Sequence, residues 1–182
     1  LAVADAEATA AAVEANGGMV LVPPMPIMDL GVMAFLADPA GGAIGIWQPG
    51  TFPGIAVLGD PGTPAWFELH TRGYEAALDF YRTVFGWETQ VMGDTSEFRY
   101  TTVNDGDEQL AGVMDASGHL PEGVPSYWAV YFATDDTDAT LARAVELGGA
   151  IVTPAEDTPY GRLAVATDAT GTPFSLLGPN QA

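Results

Sequence analysis

The sequence holds no lysine and no cysteine, only five arginines and only two histidines in 182 residues. Without cysteine there is no disulfide scaffold, no thiolate zinc site and no thiol nucleophile, although the compartment stays open. Five cations stand against 24 acidic residues, giving a formal charge of −19. A phosphate backbone or an anionic membrane surface is held by clustered cations, so neither nucleic acid nor membrane is an expected partner. A run of about 18 apolar residues, the minimum for a spanning helix, is also missing. The amino end, Leu1-Ala2-Val3-Ala4-Asp5, has no initiator Met and no basic stretch. It reads as the middle of a domain and not as a signal peptide. A cytoplasmic protein is the expectation.

Three chemical motifs are absent as well. There is no phosphate-cradling Gly loop with Lys, no Gly-x-Ser-x-Gly elbow and no dinucleotide fingerprint. What is present is apolar: 48% of residues are hydrophobic and 16% charged, enough to bury a core and too apolar for a disordered chain.

The chain repeats itself. Gly17-Gly18, Val22-Pro23 and Asp38-Pro39-Ala40-Gly41 return as Gly148-Gly149, Thr153-Pro154 and Asp168-Ala169-Thr170-Gly171. Gly17 to Gly148 is 148 − 17 = 131 and Asp38 to Asp168 is 168 − 38 = 130, so one deletion aligns them. In the later copy, Tyr127 to Thr134 reads as a strand. Asp136 or Thr137 caps a helix running to Leu147, which Gly148 stops. Strands are predicted at Ala150–Val152, Arg162–Thr167 and Pro173–Leu177. A third segment has a strand at Trp66–His70 and a helix over about Tyr74–Val84, where Ala77, Phe80, Tyr81 and Val84 share a face. Strands at Glu88–Met92, Phe98–Val103 and Gln109–Met114 follow.

The fold class is therefore α+β, built from β-α-β-β-β modules at 1–50, 64–116 and 124–180, with a Pro- and Gly-rich linker at 51–63. One helix on a four-stranded sheet covers one face, and two such sheets side by side make a cup. Modules two and three read as one complete domain, 64–182. Module one reads as the closing half of another, whose apolar face, with Phe35, Ile44, Ile46 and Trp47, needs cover from an upstream module or from a second chain, as in a homodimer.

Ala77-Leu78-Asp79-Phe80-Tyr81 before Phe85-Gly86-Trp87, with Gly148-Gly149, Gly161-Arg162 and the two Asp-x-x-Gly turns, carries a resemblance to a known family. The chain resembles the vicinal oxygen chelate superfamily of glyoxalase, bleomycin-resistance and extradiol-dioxygenase proteins, most of all its tandem two-domain glyoxalase-like members lacking the first module. The resemblance implies paired βαβββ modules with a divalent metal held by His, Glu or Gln from first and last strands. Those positions fall here on Trp66, about Ala129, Ser175 and Gly45, and module two's last strand offers no carboxylate before Asp115. None is a normal ligand, so the expected cofactor is none, with a divalent metal as the alternative.

Alternation in the first strand of module two puts Trp66, Glu68 and His70 on the cup face and Phe67 with Leu69 under the helix. In module three it puts Tyr127, Ala129, Tyr131 and Ala133 toward the cup. In Phe98–Thr102 it groups Phe98, Tyr100 and Thr102, without saying which face is inside. Trp66, Glu68, His70, Tyr100 and Tyr131 are thus the candidate ligand-binding residues, for a small organic molecule in an aromatic cup. Glu68 and His70 are the candidate catalytic pair for the alternative, a lyase, isomerase or oxygenase of glyoxalase type. A third reading makes the cup an assembly surface. His119 lies in an exposed connection, and Arg162 reads as a salt-bridge partner before a ligand contact.

Overall fold

The structure, a computed structural model, describes residues 1–181. The chain gathers into two compact units, residues 1–56 with 68–128 and residues 57–67 with those from 129 onward. The first unit therefore holds module one and most of module two, and the second holds most of module three with part of the linker and residues 64–67.

In the first unit, α1 (Ala6–Ala15) begins where the Asp5 carboxylate accepts a hydrogen bond from the Ala8 N–H at 2.9 Å. It buries Ala6, Ala10 and Val13, spaced i, i+4, i+7, and stops before Gly17, whose φ of 81° only glycine adopts cheaply. The strands β1 (Met19–Ile27), β2 (Gly31–Ala37) and β3 (Ala43–Pro49) form an antiparallel meander in sequence order. Ala34, Leu36 and Ile46 are buried in it, whereas Met19, Met25 and Phe35 are exposed.

The strand β4 (Pro64–Thr71) supplies Glu68–Thr71 to this unit. The helix α2 (Tyr74–Phe85) buries Tyr74, Ala77, Leu78 and Tyr81 at i, i+3, i+4, i+7 and ends at Gly86, φ 68°. After it, β5 (Glu88–Asp94), β6 (Arg99–Asp105) and β7 (Glu108–Asp115) pair antiparallel, and β7 runs parallel to β4 with Glu68 opposite Gly112 and His70 opposite Met114. Leu69, Thr101, Val103 and Val113 are buried, while Glu68, Tyr100 and Gly112 belong to the opposite parity. Strand alternation places the two sets on opposite faces.

The second unit takes residues 129–133 of β8 (Tyr127–Ala133), then α3 (Thr137–Glu146), β9 (Ala150–Thr158), β10 (Gly161–Thr167) and β11 (Pro173–Gly178). The order is β8-β11-β10-β9, with β11 parallel to β8 and the remainder antiparallel. Asp136 caps α3 through a 2.9 Å bond from the Ala139 N–H. The core is Leu141, Ala164, Ala166 and Leu176, with Phe132 and Phe174 packed against it. Arg162 is held by Asp138 and Asp157 at 2.7 and 2.9 Å, so its role is structural.

The largest extension beyond the expected bounds is in β9. The predicted strand Ala150–Val152 continues through Pro154 to Thr158, because its partner β10 pairs along the whole length. Proline cannot donate to a ladder, but Pro154 lies within a register shift on the outermost strand, where no ladder bond is lost. Pro23 and Pro24 occupy the matching register shift of β1.

Candidate functional site

Glu68 is 8% exposed, an uncommon place for a carboxylate, and its burial is matched by donors. The Tyr100 hydroxyl donates to Oε2 at 2.7 Å, and His70 Nε2 lies 2.9 Å from Oε1. The ring of Tyr127, the first residue of β8, stacks on the His70 imidazole with centroids 4.9 Å apart and planes 5° from parallel. Phe98 stacks on Tyr100 in the same way, 5.7 Å apart and 6° from parallel. A carboxylate, an imidazole and three aromatic rings thus form one linked cluster in the first unit.

Backbone geometry makes this possible. A Cβ on Gly112 would lie 1.9 Å from the Tyr100 hydroxyl oxygen, and one on Gly93 would lie 2.5 Å from Phe98. The two glycines leave room for the stacked rings to lie flat on the sheet, with the Tyr100 hydroxyl reaching the strand that carries Glu68. Burial, and then the charge of Glu68, push the Tyr127 hydroxyl above its ordinary pKa, so it stays a neutral phenol at physiological pH.

Of the residues expected to form a site, Glu68, His70 and Tyr100 meet directly in the first unit. Trp66 and Tyr131 belong to the second unit, both half-buried, with Tyr131 opposite Ser175 across the β8–β11 ladder. His119 is exposed in the loop before β8. Tyr127, Phe98, Gly93 and Gly112 were not among the expected site residues. Parity already aimed Tyr127 at the same side as His70, and a glycine inside a strand is itself a signal of close approach.

Glu68 and His70 do not complete a metal site. Among the described residues no group of three His, Cys, Asp or Glu stands close enough to hold an ion. A catalytic zinc takes three protein ligands, so this pair does not fit the family's usual cofactor.

The profile of the Glyoxalase/Bleomycin resistance protein/Dioxygenase superfamily matches residues 63–176. The chain belongs to that superfamily. It is 39% identical over 180 residues to CFP32 of Mycobacterium tuberculosis (strain CDC 1551 / Oshkosh), a protein carrying a glyoxylase name, with 98% of this chain and 68% of that one aligned. It is 41% identical over 176 residues to the anthracycline biosynthesis protein DnrV of Streptomyces peucetius, covering 95% of this chain and 62% of that one. The chain spans about two thirds of the length of these relatives. A hypothetical protein from Bacillus halodurans C-125 shares the fold at a TM-score of 0.50 and 10% identity, over 66% of this chain and 96% of that one. The α+β class and the glyoxalase-type fold follow from these matches. Among the described residues no helix is long and apolar enough to cross a membrane.

Proposed function

We propose that this glyoxalase-like chain binds a small organic molecule, without a metal, on the surface formed by Glu68, His70 and Tyr100. The observation that carries the reading is the buried Glu68 carboxylate, already satisfied by a phenol and an imidazole and flanked by stacked rings. A carboxylate so engaged orients the imidazole, and the pair falls short of the three protein ligands that a catalytic metal takes. We also propose Trp66 and Tyr131 of the second unit as ligand-contacting residues, and 64–182, modules two and three, as one domain. DnrV is named for anthracycline biosynthesis, which accords with a flat aromatic ligand.

One observation favours enzymatic activity as a second reading. The 2.9 Å Glu68–His70 contact is the geometry of a carboxylate–imidazole acid–base pair, as a lyase or isomerase would use. Metal analysis combined with turnover assays separates the two. The binder reading expects ligand affinity unchanged by a chelator; stoichiometric Ni²⁺, Mn²⁺ or Zn²⁺ restoring turnover would defeat it. Gly112→Ala, which displaces Tyr100, is expected to weaken ligand binding by roughly tenfold, the worth of about one hydrogen bond.

The same proposal takes the protein to be cytoplasmic and built of tandem modules. Its module one sheet, with Met19, Met25 and Phe35 exposed, pairs with a second copy when no upstream module covers it. Size-exclusion chromatography checks this: a monomer with a folded module one contradicts the pairing.

A further inference from the structure

We propose that the ligand of this site is a neutral, hydroxyl-bearing aromatic compound, and that its O–H is accepted by Nδ1 of His70. The inference rests on the binding reading and adds the chemistry of recognition.

The five arginines are the only permanent side-chain cations of the chain, and all are engaged: Arg82, Arg99, Arg143 and Arg162 by carboxylates, and Arg72 by the backbone carbonyls of Leu120, Pro121 and Val124. No guanidinium is left for an anionic ligand, and a buried carboxylate next to the site repels one. A carboxylate- or phosphate-bearing molecule is therefore disfavoured. A cation fares little better, since Glu68 already accepts from both Tyr100 and His70.

The imidazole supplies the remaining acceptor. In the neutral ring, the nitrogen facing a carboxylate carries the proton, so Nε2–H donates to Glu68 and the lone pair resides on Nδ1. Among the described residues no group bonds Nδ1, and it is not among the buried unpartnered polar atoms. The side chain keeps 14% exposure, which leaves that nitrogen open to a ligand. Tyr127 fixes the ring plane by stacking. The exposed rings of Tyr127 and Phe98 offer faces to an aromatic body. An acceptor held rigid beside aromatic faces, with no free cation, is matched by a phenol-type hydroxyl.

2-Naphthol tests this on the full 182-residue chain, treated with chelator. Its excited state is a strong acid and emits in a separate band once the proton has left. On excitation its O–H bond breaks, the electron pair stays on oxygen and the proton moves to His70 Nδ1, giving naphtholate beside imidazolium. The expected result is saturable binding with naphtholate-band emission, with 2-naphthoate and 2-naphthylmethylammonium binding at least roughly tenfold more weakly. His70→Phe, which keeps a flat ring for Tyr127, is expected to abolish that band and to weaken binding by roughly tenfold. Glu68→Gln gives a second variant, expected to reduce the band because the ring loses its orienting carboxylate. Bound naphthol that emits only as the neutral form in the unaltered protein overturns the inference while leaving binding in place. So does stronger binding of the naphthoate or the ammonium. Absence of saturable binding by all three probes overturns the binding reading itself.

Discussion

Asp38 and Asp168 occupy the same turn in two parts of the molecule, and their surroundings reverse their electrostatics. Asp38 Oδ1 accepts from the N–H groups of Ala40 and Gly42, and Asp168 Oδ1 accepts from those of Thr170 and Thr172, the same two offsets. Gly41 and Gly171 both adopt left-handed backbone, φ 91° and 87°. Yet Asp38 is 3% exposed, and its other oxygen accepts from the Tyr81 hydroxyl at 3.2 Å, which in turn accepts from Trp128 Nε1 at 3.0 Å. Burial outweighs these bonds and holds the Asp38 carboxyl above the ordinary carboxylate range. Asp168 is exposed, and the Thr170 hydroxyl with the turn's N–H groups holds it below that range. Sequence fixes a turn through local hydrogen bonds, but the environment decides what the charge in it costs.

The comparison breaks most severely at Tyr81, which is fully buried against Phe80, Trp87 and Trp128. Tyr81→Ala is expected to cost about 3–5 kcal/mol in urea unfolding, through the cavity it opens. Tyr81→Phe keeps the ring but strips Asp38 and Trp128 of a partner, an expected loss of about 1–3 kcal/mol. Equal stability of Tyr81→Phe and the unaltered chain would mean that the Asp38–Tyr81–Trp128 chain is incidental. The glycines come next. Gly171→Ala has open space around it and is expected to lose about 1–2 kcal/mol from the left-handed backbone alone. Gly41→Ala loses more, because its Cβ would meet Pro125 at 3.2 Å.

The subtlest contrast is in pH. A carboxyl raised by the fold favours the folded state most below its unfolded pKa, and that advantage fades as pH climbs through the raised value. Asp38→Asn imitates the protonated form, so its stability deficit is expected to shrink as pH rises above the ordinary carboxylate range. A carboxyl lowered by the fold contributes its stability above the unfolded pKa and loses it as pH falls through the lowered value. The deficit of Asp168→Asn is expected to grow from strong acid up to that range and then stay level. Urea unfolding across pH, with both deficits moving in the same direction, would contradict the contrast.

Much of this was legible from local patterns. Helix α2 was expected over Tyr74–Val84 and runs to Phe85, because a 3.6-residue apolar period and a stopping glycine are both local. The cap of α3 was expected at Asp136 or Thr137 for the same reason, and it is Asp136. The Tyr81–Asp38 bond was invisible, since its partners are 43 residues apart and each looked complete alone: one a core aromatic, the other a turn aspartate. The Glu68–His70 pair was legible because alternation on a single strand places residues i and i+2 side by side. The His70–Tyr127 stack was not, because parity names a face and leaves unstated which residue of another strand lies against it.

A crystal structure of the chelator-treated protein soaked with an aromatic ligand tests the central claim most directly. The account predicts ligand density against His70, Glu68 and Tyr100, with the Tyr100 and His70 bonds to Glu68 intact and no ion present. A cation coordinated by Glu68 and His70, or that surface filled by the protein's own side chains with the ligand elsewhere, would contradict it.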